Sequence, residues 1–406
     1  MIIGLSSATI MHSYLNYFQW LGLCPVVFSH SKQRNFRTLT VISFLHIIIL
    51  STMTILAYTY SHVIFFNDDS FGLFNDTIKF VAAVIAYYAI IIESFLKRGT
   101  QSRIWNLLAQ CHQADRLDRI DQCKLWNPAQ FNCYFFGYVG LMILTESYRM
   151  PFIFSKNQHL NYWPFLTILL IFTRSRHLQY IFYLNIVKRQ LHLLFEELRR
   201  IDEYSRYNRT KLERTLQHTY DQFLCRRLYL AREYYSFIYE ISTELNEAFG
   251  WSHLVNLTHS FVQILTDLYW CYWLSDNETY ILSGDSAMTT IQSVVILILV
   301  FGYSTELHTK AKKTSFFVHS IRQMDCGSKI RDLVRRNNLA NNFNNKIADL
   351  KFMFQIESFS LQLIHEPIIF RAQGCFNLDL SILGDATVAI TTYMVFFIQF
   401  TPRYKS

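Results

Sequence analysis

Thr392-Tyr393-Met394-Val395-Phe396-Phe397-Ile398-Gln399-Phe400 closes a run that begins at Ala386 and contains no Lys, Arg, Asp, Glu or His. Crossing a hydrocarbon core takes roughly 20 mostly apolar residues. The run from Ala386 to Pro402 is of that grade. One amide, Gln399, sits inside it. In hydrocarbon an amide needs a hydrogen-bond partner or water, so it points to a pore or a packed interface rather than a lipid face. Thr392, Val395, Phe396 and Gln399 are spaced by three, four and seven residues and share one side of a helix. The chain is therefore first a membrane protein.

Six more spans precede this one. They run from Thr38 to Phe66, Thr77 to Leu96, Ala129 to Thr145, Tyr162 past Leu170, Ala248 to Leu274 and Ser286 to Tyr303. The flanks set the orientation. Lys32, Arg34 and Arg37 precede the first span, and Asp68, Asp69 and Asp76 follow it. Lys97, Arg98, Arg103, Arg116, Arg119 and Lys124 follow the second, and Asp276, Glu278 and Asp285 separate the fifth from the sixth. Between Ser304 and Leu350 stand nine Lys or Arg against four acids. Basic loops lie inside, so the N-terminus is expected in the cytosol and the C-terminus outside. Arg149 and Lys156, and Arg403 and Lys405, run against this bias. The sequons at Asn75 and Asn277 then fall in outer loops as expected glycan acceptors.

The expectation is an all-α membrane protein of seven helices. Residues 1–37 form a cytosolic N-terminus and 38–303 the first six helices. Residues 304–385 form a cytosolic loop and anchor, and 386–406 the last helix and an extracellular tail. The stretch from Lys188 to Glu247 carries a stripe of Leu191, Leu194, Phe195 and Leu198, which suits cytosolic extensions of the fourth and fifth helices packed together.

Of the 406 residues 51% are hydrophobic, and the net charge is +8. The bases lie between apolar runs, so the charge follows membrane topology rather than nucleic-acid binding. The eight cysteines show no metal-type spacing. His365-Glu366 lacks a second histidine at 369, which is Ile, and no phosphate loop or nucleophile elbow occurs, so nothing supports an enzyme, a metal or a cofactor.

Three blocks near the C-terminus carry a family resemblance: Leu361-Gln362-Leu363-Ile364-His365, then Gly374-Cys375-Phe376-Asn377-Leu378-Asp379, then the terminal Thr392-Tyr393 to Gln399-Phe400. In this order they resemble the C-terminal signature of insect gustatory receptors. Trp20-Leu21-Gly22-Leu23-Cys24-Pro25 is similar to that family's segment before the first helix. The middle block departs modestly, reading Gln373-Gly374-Cys375-Phe376 where the family often has Cys-Gly-Leu-Phe. About a tenth of the chain carries the likeness. The resemblance implies a tastant-gated cation channel in the plasma membrane of sensory neurons, a homo- or heterotetramer with one central pore. The last helix lines the pore, residues 350–370 form an anchor between subunits, and ligand enters a pocket open to the outside among the second to sixth helices.

Under that resemblance Thr392, Val395, Phe396, Gln399 and Phe400 line or gate the pore, with Gln399 amides ringing the axis to pass Na⁺ and Ca²⁺ with weak selectivity. The pocket residues are Tyr87, Glu146, Tyr162, Trp163, Asp267, Trp270, Trp273 and Gln292. Aromatic faces with few polar groups suit a small tastant, and a carboxylate at Asp267 favours a cationic, bitter-type one. An interfacial aromatic belt would use the same residue types. Arg174 and Arg176 lack the repeat of a voltage sensor and are expected to snorkel to the inner surface. The alternatives are a G-protein-coupled receptor, a transporter or an odorant-receptor channel. The charge bias opposes the first, and the lack of paired Gly/Pro breaks opposes the second.

Overall fold

In a computed structural model the described residues are 7–24, 32–65, 70–116, 128–154, 163–207, 214–276, 280–336 and 343–400. They form eleven helices in chain order. These are α1 (Ser7–Trp20), α2 (Lys32–Thr59), α3 (Ser61–Ile64), α4 (Ser70–Leu96), α5 (Arg98–Arg116), α6 (Pro128–Phe154), α7 (Trp163–Tyr207), α8 (Arg214–Asp276), α9 (Tyr280–Arg336), α10 (Phe343–His365) and α11 (Ser381–Phe400). Between α10 and α11 lies a two-stranded antiparallel hairpin, β1 (Arg371–Ala372) and β2 (Phe376–Asn377). The fold is all-α apart from this hairpin, and the seven expected spans coincide with α2, α4, α6, α7, α8, α9 and α11.

By length and composition, four stretches could cross a membrane alone: Thr40–Thr59, Phe71–Leu96, Ser283–His319 and Ser381–Gln399. Helices α6, α7 and α8 carry ionisable residues within or beside their apolar stretches. Those side chains lie inside the bundle, not against lipid: Arg149, Arg176 and Asp267 are each no more than 1% exposed. The 63 residues of α8 extend about 95 Å at ~1.5 Å per residue, about three times the hydrocarbon thickness. Its first half and the second half of α7 correspond to the expected extensions beyond the membrane, and the stretch expected as a loop from Ser304 continues as helix to Arg336. Leu191, Leu194 and Leu198 are buried there, and Phe195 stacks on Phe317 at 5.3 Å.

The segment expected as a cytosolic N-terminus contains helix α1. Helix α1 packs inward, with Tyr14 against Phe131 and Phe135 (centroids 5.0 and 4.7 Å) and Phe18 against Phe182. It ends in a Schellman cap. Gly22, at φ +69°, lets its own N–H reach Gln19 O (2.9 Å) and Leu23 N–H reach Phe18 O (2.9 Å). The Trp20-Leu21-Gly22-Leu23 block is thus a helix stop, and Gln179 Nε2 donates to its Leu23 carbonyl.

Helix α11 differs from every other span. Its partly buried side, Leu383, Ile390, Met394 and Phe397, rests on the bundle, with Phe397 against Phe71 (5.3 Å) and Tyr269 (6.1 Å). No residue of its apolar stretch is fully buried.

Candidate functional site

Ionisable and polar side chains from α4, α6, α7, α8 and α9 meet inside the bundle. Near the end expected to lie outside, Lys79 of α4 pairs with Asp267 of α8, both almost wholly buried. The second Asp267 oxygen accepts from Gln263 Nε2 at 2.7 Å. One turn further along α8, Trp270 Nε1 donates to Asp76 at 3.1 Å. Beside this pair, Arg149 of α6 meets Glu146 (2.9 Å) and Asp285 of α9 (2.9 Å). Asp285 in turn lies within Coulombic reach of Lys79 and Asp267. Deeper, the Arg174 guanidinium of α7 donates to Gln292 of α9, whose amide nitrogen donates to Leu141 O (3.2 Å).

A second cluster holds the inner part of the bundle. Glu93 of α4 accepts from the backbone N–H groups of Trp251 and Ser252, both at 2.8 Å. Arg176 donates to Ala248 O (3.2 Å) and Ser252 Oγ (2.9 Å), pairs with Glu93 (3.4 Å) and lies 4.0 Å over the Phe249 ring. Side chains from α4 and α7 thus enter the backbone hydrogen bonding of α8 beside Gly250. A Cβ at Gly250 would fall 2.1 Å from Gln373 Oε1, so the β1–β2 turn is seated on α8 where no side chain intervenes. Asn246, one turn earlier, donates to Ile369 O (2.8 Å) and accepts from Arg371 N–H (3.0 Å). Tyr235 donates to Glu366 O (2.6 Å), and Thr305 of α9 accepts from Leu380 N–H (3.1 Å). The segment leading into α11 is therefore tied to both α8 and α9.

Asp267 and Glu146 belong to one connected charge set, with Trp270 on its edge and Trp273 edge-to-face with Trp270 at 5.5 Å. Gln292 lies deeper. Tyr87 is elsewhere, packed on Phe172 (4.7 Å) with its hydroxyl towards His46 O. Tyr162 lies outside the described residues, as does Asn277, and Trp163 opens α7 with its side chain undescribed.

Four expectations are corrected. Asp267 is not a free carboxylate awaiting a cation, because Lys79 already compensates it. Arg174 and Arg176 do not snorkel, being 4% and 0% exposed. Asn75 lies within α4 with no exposed surface, so the folded chain has no room for a glycan there. Asp76 and Asp285, read as loop acids, are likewise buried helix residues. Sequence reasoning missed Lys79 and Glu93 as site residues, although a lone ion in an apolar span is itself a functional signal. Arg149 was visible only as an exception to the charge bias, and its burial against Asp285 is the reason for the exception.

On α11, Thr392 and Gln399 are exposed, as are Val395 (50%) and Phe396 (49%). The Phe400 side chain lies outside the described ones. Between α8 and α11 runs an apolar groove of about 300 Å³, lined by Phe261, Val262, Leu265, Ala389, Ile390 and Tyr393 among others. It includes none of the expected pocket residues.

Membrane-length helices around a buried polar core, with a last helix left bare, define a multi-pass membrane protein. Residues 11–403 match the family described as 7tm Chemosensory receptor, and the chain belongs to that family. Gustatory receptor 2a of Drosophila melanogaster is 23% identical over 359 residues, covering 82% of this chain and 79% of the relative. Gustatory receptor 28b of the same species is 29% identical over 135 residues, 28% of this chain and 29% of that one. The fold matches the insect olfactory receptor OR5 of Machilis hrabei in complex with eugenol, with a TM-score of 0.67 at 10% identity, covering 98% of this chain and all of that one. A second structure of OR5 from Machilis hrabei gives a TM-score of 0.65, again at 10% identity, covering 97% of this chain and 98% of that one. Family and fold are those of chemosensory receptors, not of an enzyme.

Proposed function

We propose that the chain is a subunit of a tastant-gated, non-selective cation channel in the plasma membrane of taste neurons, assembled as a homo- or heterotetramer around α11. The observation that carries this reading is the link between the buried polar core and the bare helix. The helices that supply Asp267, Asp285 and Gln292 are α8 and α9, and the same two helices hold the segment entering α11 through Asn246, Gly250 and Thr305. A ligand that shifts α8 against α9 would move α11. Thr392, Val395, Phe396 and Gln399 stand on its uncovered side, where a pore lining has to be. Neutral amides and apolar rings there would pass Na⁺ and Ca²⁺ with little discrimination. The eugenol complex of the OR5 relative supports a small organic ligand. With Asp267 compensated, the ground for favouring a cationic, aversive compound falls away.

Whole-cell recording from cells expressing this chain, with G-protein activation blocked, tests the proposal across sugars, alkaloids and organic acids. A rapid cation current is expected. A response that disappears under the block would sink the channel reading.

A further inference from the structure

We propose that Arg174 is an anion anchor that takes the carboxylate of a small organic acid inside the helical bundle. The proposal rests on the reading of the chain as a ligand-gated receptor and names the chemistry of its ligand.

Among the described residues, other deeply buried cations have acidic partners. Lys79 has Asp267, Arg149 has Glu146 and Asp285, and Arg176 has Glu93. Arg174 has none. It is 4% exposed and lies eleven residues inside α7, roughly 16 Å from its start at ~1.5 Å per residue. Its hydrogen-bond partner is the neutral Gln292 side chain, and Nη2 has no partner among the described residues. The titratable groups within its Coulombic reach are Tyr138 of α6, His177 of α7 and His259 of α8, and none is a carboxylate. The Tyr138 hydroxyl, both His259 ring nitrogens and His177 Nδ1 are also buried without partners among the described residues.

A buried unpaired ion is costly, and so is each unsatisfied donor. Here they occur together, on helices α6, α7 and α8, with Gln292 of α9 oriented by Leu141 O. A carboxylate supplies what the cluster lacks: one negative charge for the guanidinium and acceptor oxygens for its free N–H groups, the tyrosine hydroxyl and a ring N–H. An amine would add a second uncompensated cation, and an amide would leave the charge as it is. The network thus favours an organic acid over the cationic ligand that Asp267 alone suggests.

The full-length protein in lipid nanodiscs, in chloride-free sulfate buffer, is melted with acetate, hexanoate and benzoate, each against its primary amide. A carboxylate is expected to raise Tm at concentrations about tenfold below its amide. Arg174→Met should abolish that preference, and Arg174→Lys should keep it at about tenfold weaker affinity. Without ligand, Arg174→Met should melt no lower than wild type, because it removes an uncompensated charge. Should it fail to fold, Tyr138→Phe combined with Gln292→Leu should weaken the acid about tenfold. The proposal is overturned if acids and amides act alike or if the preference survives Arg174→Met. It also falls if chloride alone gives the whole shift, which would make this a structural halide site. The melt is independent of current: a current lost under the G-protein block sinks the channel reading alone, and equal currents from acids and amides sink the anchor alone.

Discussion

Lys79 and Asp267 are 188 residues apart and neutralise one another in the interior. A buried pair adds little net stability, but removing one partner strands the other charge, at a cost of about 3–5 kcal/mol. Asp267→Leu is therefore expected to fold poorly, measured as lost surface expression and a lower Tm. The double variant Lys79→Met/Asp267→Leu should recover most of the loss, since apolar side chains replace both ions. If Asp267 were instead a free ligand contact, Asp267→Leu would fold normally and lose only ligand sensitivity. Gln399 belongs to the opposite case. Its side chain is exposed on α11, so Gln399→Ala should leave Tm within about 0.5 kcal/mol equivalent and change the permeability ratios or the resting leak. Unchanged permeation and gating would remove it from the pore.

Among the elements, α8 couples the buried polar core to the segment entering α11. Its stretch from Asn246 to Ser252 receives Glu93 and Arg176 from one side and the β1–β2 turn from the other. Asn246→Ala deletes two hydrogen bonds to the segment before α11, worth about 2 kcal/mol together. The expected result is a smaller maximal ligand-gated current with an unchanged ligand-induced Tm shift, because the ligand site is untouched. Gly250→Leu should act in the same direction and more strongly than Gly250→Ala. The Ala methyl asks only the flexible Gln373 end to move, whereas a branched chain displaces the turn itself. Helices α2, α4, α9 and α11 were legible because each holds an apolar run of spanning length, and α6, α7 and α8 from shorter apolar stretches within them. The anchoring was not. The hairpin strands have two residues each, too few for any alternation to show, and the partners of Glu93, Asn246 and Lys79 lie far away in sequence. For the same reason the candidate site was read through its aromatic residues and Asp267, while Lys79, Arg149 and Glu93 emerged only from the packing. Helix α1 was passed over because its cap at Gly22 precedes the first apolar span.

For the whole molecule, the uneven covering of the spans is decisive. Half of the apolar window of α4 is buried within the chain, against none of that of α11. An apolar helix bare on most sides is stable against lipid, but Thr387, Thr391, Thr392 and Gln399 are exposed on it as well. The threonine hydroxyls are satisfied by their own helix: Thr391 donates to Thr387 O and Thr392 to Val388 O. Among the described residues the Gln399 amide has no such local hydrogen bond, and it calls for a neighbouring copy or water. A central assembly of α11 helices provides both. Cysteines placed singly at Val388 and Val395, seven residues apart on the exposed side, are thus expected to form disulfide-linked dimers between copies in membranes under mild oxidation. A cysteine at Met394, on the side packed against the bundle, should not. The intact protein in mild detergent should run at four copies. Equal cross-linking at all three positions, or a monomer at every concentration, would mean that α11 faces lipid and that the pore must be sought elsewhere in the bundle.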